Sequence, residues 1–95
     1  MTKADLVEAV VEKTGLTRTD VAVVVDKFLG TIKEALESGK NIEIRGFGTF
    51  KIKQRKARKA RNPRTGEEVA VPDRKVPVFK PSNEFKALIT KLPVE

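Results

Sequence analysis

The chain has 95 residues, 39% hydrophobic and 35% charged, with 20 Lys and Arg against 13 Asp and Glu for a formal net charge of +7. That balance describes one small globular domain, and no run approaches the roughly 20 apolar residues of a membrane helix. Cysteine and histidine are both absent, which excludes a disulfide framework, thiolate catalysis and imidazole acid–base chemistry.

Met1-Thr2-Lys3-Ala4-Asp5 carries an acid where a signal peptide would begin its apolar run, so the protein is expected to stay in the cytoplasm where it is made. An amphipathic helix is predicted next. Leu6 and Val10 recur at i,i+4, as do Val7 and Val11, with Asp5, Glu8 and Glu12 between them. Thr2 is its N-cap with Asp5 at the capping-box position, and Gly15 its stop. Thr17 to Asp20 repeats the start signal for a longer helix. Val21, Val25, Phe28, Leu29, Ile32 and Leu36 keep the helical period, and Gly39 follows. The run from Val21 to Val25 is strand-like in isolation, because β-branched side chains lose χ1 freedom in a helix, but the longer window decides for helix. The same run makes this helix apolar on more than one stripe, so it is expected to be covered from two sides.

After Gly39 the period changes to two. Ile42 and Ile44 alternate with Glu43 and Arg45, Gly46-Phe47-Gly48 turns, and Phe50 and Ile52 alternate with Lys51 and Lys53. This pattern predicts a β-hairpin with one buried face. From Gln54 to Arg64 the only non-polar side chains are Ala57, Ala60 and Pro63, so a strand continuing there has no face to bury. Asn62-Pro63-Arg64-Thr65-Gly66 signals a turn. Val69, Val71, Val76, Val78 and Phe79 give a returning strand that Pro72 and Pro77 restrict to an edge or a bulged course. Ser82 caps a closing helix whose apolar side is Phe85, Leu88, Ile89 and Leu92. The predicted architecture is α+β: two N-terminal helices, a three-stranded antiparallel sheet with a long protruding hairpin arm, and a short C-terminal helix.

The charge is unevenly placed. Met1 to Ile44 has six Lys and Arg against eight Asp and Glu, Arg45 to Lys80 has twelve against three, and Pro81 to Glu95 has two against two. An acidic body joined to a strongly basic segment marks the part of the surface meant to approach a polyanion. Lys51 to Arg64 alone contains eight Lys and Arg and no acid; such density repels itself and is expected to be loose until a polyanion orders it. On an unbroken strand Lys53, Arg55, Lys59 and Arg61 share one side, and Lys56 and Arg58 the other. A solvated charge run is the plainer reading, and the turn and returning strand argue against it. Pro63 at the tip is either a turn former or a rigid apolar wedge between base pairs.

Without the arm about 70 residues remain, a size at which one core supplies only ~3–5 kcal/mol. With no disulfide to help, a second copy is expected to cover Phe28, Leu29, Ile32 and Leu36 of the second helix and Ile44, Phe47, Phe50 and Phe79 of the sheet. An enzyme is not expected: Glu67 and Glu68 are adjacent and would point to opposite faces of a strand, so they do not share a proton or a metal. Neither a metal nor a cofactor is implied. A single-strand or RNA binder would use aromatic stacking platforms, and all five Phe lie outside Gln54 to Arg74.

Gly46-Phe47-Gly48-Thr49-Phe50, Arg55-Lys56-Ala57-Arg58, Arg61-Asn62-Pro63-Arg64-Thr65-Gly66 and Val76-Pro77-Val78-Phe79-Lys80-Pro81 closely resemble the bacterial HU family of histone-like proteins and its sister family, integration host factor. The resemblance runs over nearly the whole chain. It implies an intertwined homodimer in the nucleoid, with a helical base over about 1–40, a sheet and arm over about 41–80, a flexible arm over about 54–74 and a C-terminal helix over about 82–92, within one domain of 1–95. It also implies duplex DNA as the partner, bent and compacted through the minor groove with Pro63 partly intercalated and with a preference for distorted DNA. Lys53, Arg55, Arg58, Arg61 and Asn62 become arm contacts, joined by Lys56, Lys59, Arg64, Arg74 and Lys75. Lys3 and Lys80 become phosphate contacts of the saddle, with Lys86 beside them. The chain departs from the family at Ala60, where glycine is usual, and at Ser82-Asn83, in place of Gly-Lys. The alternatives are a sequence-specific DNA-bending factor like integration host factor and an RNA-binding protein.

Overall fold

The computed structural model describes residues 1–94; Glu95, the last residue of the single domain expected from the sequence, lies outside the described residues. The chain forms two compact units, Met1–Ala35 and the remainder from Leu36 onward.

The first unit is helical. α1 spans Lys3–Thr14, and its capping box is closed: Asp5 N–H donates to Thr2 Oγ1 at 3.3 Å, and Thr2 N–H to Asp5 Oδ2 at 2.8 Å. α2 spans Arg18–Glu37 and starts from Thr17, whose Oγ1 accepts from Asp20 N–H at 3.2 Å. The β-branched run is helical throughout. Two ion pairs join the helices. Lys3 Nζ meets Asp26 Oδ1 at 2.7 Å, and the Arg18 guanidinium donates to Glu8 through Nε and through Nη2, the latter at 3.0 Å. That hydrogen bond holds the Glu8 carboxyl below the usual carboxylate range and raises Arg18. Both pairs lie in water, where such contacts add little stability. Among the described residues, Val7 and Val21 are the only buried hydrophobic side chains, at 7% and 2% exposure, while Phe28 is 56% exposed and Leu29 41%.

The second unit contains, in order, β1 (Ile42–Ile44), β2 (Gly48–Arg55), β3 (Arg58–Arg61), β4 (Glu68–Val71), β5 (Arg74–Pro81) and α3 (Asn83–Ile89). β1, β2 and β5 form one antiparallel sheet in the order β1-β2-β5, and β3 and β4 form a separate ribbon. Residues directly opposite in an antiparallel pair share a face, so the register separates the three-stranded sheet into two unlike sides. One carries Ile42, Phe50 and Phe79, with Ile52 opposite Pro77; the other carries Lys51 opposite Val78, Lys53 opposite Val76 and Arg55 opposite Arg74.

Two hydrogen bonds fix which backbone groups face which neighbour. Ser82 N–H donates to Phe47 O at 2.9 Å, and Ile52 N–H to Asn41 Oδ1 at 3.2 Å. Odd residues of β2 therefore bond toward β5 and even ones toward β1. Pro77, opposite Ile52, and Pro81, opposite Gly48, turn their nitrogens to the open edge, where no donor is needed. This is the edge position expected for Pro77.

Four phenylalanines gather on the apolar side: Phe47 and Phe79 rings lie 5.2 Å apart, Phe50 and Phe79 4.9 Å, and Phe47 and Phe85 of α3 5.3 Å. Phe47 is nonetheless 43% exposed and Phe79 38%. Ser82 caps α3 through Phe85 N–H at 3.1 Å. The helix is shorter than the 82–92 expected, ending at Ile89, because Pro93 disfavours helical backbone at Leu92; Leu92 N–H closes a turn on Ile89 O at 3.0 Å instead. No helix among the described residues is long and apolar enough to cross a membrane.

Gly48 sits under the aromatic cluster. A Cβ there would meet Lys80 O and the Phe79 ring, each at 2.6 Å, and the backbone oxygen has no room to yield. Gly48→Ala should therefore lower stability by about 1–3 kcal/mol, read as a lower denaturant midpoint at fixed protomer concentration.

Candidate nucleic-acid interface

The cationic side of the sheet is built by alternation. Lys51, Lys53 and Arg55 occupy every second position of β2, and Arg74 and Lys80 of β5 fall on the same side, opposite Arg55 and Thr49. All five are exposed, with half-buried Val76 and Val78 between them. Lys51 had not been singled out from the sequence as a contact. Its parity with Lys53 and Arg55 was the available signal, masked because Lys51 lies in the apolar-alternating part of the strand.

The ladder stops after Arg55 opposite Arg74 and resumes at Arg58 opposite Val71, skipping two residues on each strand with the register unshifted. The arm therefore begins at Lys56 and ends at Asp73, within the 54–74 expected, and Gln54, Arg55 and Arg74 belong to the sheet. The cause is Pro72. In the odd bonding scheme of β2, Ala57 and Pro72 would exchange hydrogen bonds, and Pro72 has no N–H. Ala57 N–H is taken instead by Asp73 Oδ1.

Beyond this joint the bonding scheme is reversed. Arg58 must bond Val71 directly, since the other scheme again needs Pro72 N–H, and at the far end Asn62 N–H reaches Glu67 O at 2.8 Å. Phe47 and Asn62, an odd number of residues apart, bond toward the same returning strand, which an unbroken ladder forbids. Relative to the plane of the ribbon, each strand has turned over between them. Lys59 and Arg61 thus do not continue the side of Lys53 and Arg55, as alternation through an unbroken strand predicted. Arg58 and Ala60 take that place, opposite Val71 and Val69, while Lys59 and Arg61 lie on the reverse with Ala70 and Glu68. Lys59 Nζ is 3.9 Å from Glu68 Oε2 on that reverse side.

The tip is a tight loop. Gly66 N–H donates to Asn62 O at 2.7 Å and Arg64 N–H to Asn62 Oδ1 at 2.9 Å. Asn62 thereby holds the loop through both its backbone and its side chain. Pro63 and Arg64 stand exposed at the end of the ribbon.

The remaining expected contacts are spread out. Lys56 lies in the joint, Lys75 opposite Gln54 on the apolar side of the sheet, and Lys86 in the middle of α3. Lys3 belongs to the helical unit, its ammonium already engaged by Asp26. Of the residues expected at a subunit interface, Phe28, Leu29, Phe47 and Phe79 are exposed, and Ile32, Leu36, Ile44 and Phe50 half-buried. Among the described residues no group of three or more acidic side chains is placed to hold a metal ion.

The profile of the family described as bacterial DNA-binding protein matches residues 1–90. The chain is 44% identical over 95 residues to integration host factor subunit alpha of Aliivibrio fischeri, covering 100% of this chain and 97% of that one. It is 48% identical over 86 residues to DNA-binding protein HU 2 of Bacillus phage SPbeta, covering 90% and 94%. Among solved structures, the Anabaena HU–DNA cocrystal matches with a TM-score of 0.87 at 39% identity over 94% of this chain and 97% of that one. HU from Thermotoga maritima matches with a TM-score of 0.66 at 32% identity over 94% and 98%.

Gly66 holds the tip with φ 74° and open space where a Cβ would stand. Gly66→Ala should cost about 1–2 kcal/mol through backbone conformation alone. Amide exchange should speed up within 58–71 while the amides of β1, β2 and β5 keep their protection.

Proposed function

The chain belongs to the HU and integration host factor family of bacterial DNA-binding proteins, and from that membership we propose how its surface works on DNA. As in that family, it is not an enzyme; it binds double-stranded DNA as a dimer and bends it. The observation that carries the site assignment is the division of the second unit's sheet into an apolar side and a cationic side that runs on into a cationic ribbon. The cationic side seats the phosphate backbone through Lys51, Lys53, Arg55, Arg74 and Lys80. The arm follows the minor groove, with Arg58 on one side and Lys59 and Arg61 on the other, so both walls are met at once. Arginine's planar fork suits phosphate oxygens and a narrow groove floor. Pro63, held out by the Asn62 loop, enters between base pairs and stabilises the kink.

The apolar side and the exposed stripe of α2 are covered by the second copy through Phe28, Leu29, Ile32 and Leu36, and through Ile44, Phe47, Phe50 and Phe79. Each such side chain moved from half-exposed to buried contributes about 1 kcal/mol. An HU-like homodimer with little sequence preference fits the arm best, because its functional groups are cations and a proline with no set of side chains suited to base edges. The protein then acts in the cytoplasm on the nucleoid as a histone-like factor that wraps and compacts DNA.

Neutralising six or more phosphates releases as many counterions. Affinity for a duplex should fall on the order of 10³-fold or more between 50 and 200 mM salt; a salt-independent Kd in fluorescence anisotropy would sink the electrostatic reading. Pro63→Ala should leave affinity for intact duplex within about threefold while lowering the preference for nicked duplex on the order of tenfold. Equal losses on both substrates would reduce Pro63 to a turn former.

A further inference from the structure

Pro72 explains why the first ladder ends, but not why the joint keeps a defined form. At a bare break Ala57 N–H would be left to water and the two ribbons would swivel about two residues on each strand. Asp73 supplies the missing partner through its carboxylate, and a charged acceptor binds an amide about twice as strongly as a neutral one. The choice of residue is otherwise unfavourable. Asp73 stands opposite Lys56 in the register and beside Arg74, in the stretch that should attract phosphate, and its charge weakens that attraction. Between Arg45 and Lys80 the only other acids are Glu67 and Glu68, at the tip end. Among the described residues Asp73 forms no ion pair with the cations around it; its carboxylate instead accepts from the Ala57 backbone across the ribbon.

The geometry points to Asp73 as a positioning residue for DNA bending: its carboxylate latches Ala57 and holds the half-turn that decides which face of the arm meets the groove. With the latch closed, Arg58 continues the side of Lys53 and Arg55, and Lys59 and Arg61 take the reverse. With it open the arm still carries every cation, yet its faces are no longer set against the saddle. Grip and direction are thus assigned to different residues, the cations providing the first and Asp73 the second. This inference rests on the reading that the arm grips DNA.

The test uses the full chain carrying D73A or D73N, a nicked duplex with donor and acceptor dyes at its ends, and amide exchange measured without DNA. D73A should speed exchange at Ala57 at least about tenfold and reduce the dye approach on binding, while affinity at equal salt stays level or rises because a negative charge is gone. D73N keeps an oxygen acceptor without the charge. It should hold exchange at Ala57 within about threefold of wild type, retain the bend and bind more tightly. Wild-type exchange and bending in D73A would overturn the latch, as would a D73N that loses the bend as fully as D73A. A wild-type protein that failed to bend the nicked duplex would count against the preceding functional reading, and exchange at Ala57, read without DNA, would still decide whether the latch exists.

Discussion

Apolar surface that finds no cover within the chain is the condition on which the rest of this structure depends. Val7 and Val21 are buried, while Phe28, Leu29, Phe47 and Phe79 stay substantially in water. For a domain of this size, transfer of apolar area from water is the main stabilising term. A second copy covering this surface, as proposed above, therefore serves folding as well as binding. It also accounts for the two-sided sheet: one side is largely reserved for burial, so Lys51, Lys53, Arg55, Arg74 and Lys80 collect on the other.

That arrangement couples stability and function through strand parity. A one-residue slip of β2 against β5 would move Lys51, Lys53 and Arg55 to the apolar side and Phe50 and Ile52 to the cationic one. Gly48 and the two prolines at the sheet's open edge guard against it. Gly48 admits the Phe79 ring at a distance no other residue tolerates, and Pro77 and Pro81 are accommodated only in the bonding scheme that points their nitrogens outward.

Much of this was legible in the sequence. The caps at Thr2, Thr17 and Ser82, the change of period after Gly39 and the Gly46 turn declare themselves through local chemistry and lie where they were expected, and the arm does so with its root two residues further out on β2 and one on β5. The end of α3 was not, because the apolar period of Leu88, Ile89 and Leu92 continues past the point at which Pro93 halts the backbone. The half-turn of each strand within the ribbon was hidden for a different reason. Period-two reading assumes an unbroken strand, and Pro72 reverses the bonding scheme without adding or removing a residue on either side. Asp73 gave no signal as a partner of Ala57, since that contact crosses between strands and is specified only once the register is known. Lys3 illustrates a third case: its charge is plain in the sequence, but its engagement by Asp26 depends on how α1 and α2 meet.

The matched gap in the arm, two residues on each strand, has a consequence for how such an arm changes length over evolution. An insertion in one strand alone would shift every pair beyond it unless a bulge absorbed it, whereas a paired insertion or deletion keeps the register. Adding one residue to both strands extends the tip by about 3.4 Å but exchanges the ribbon's faces, whereas adding two to both extends it by about 7 Å and restores them. Reach along DNA is therefore available in steps, and arms of the same facing should differ in length by whole multiples of that larger step.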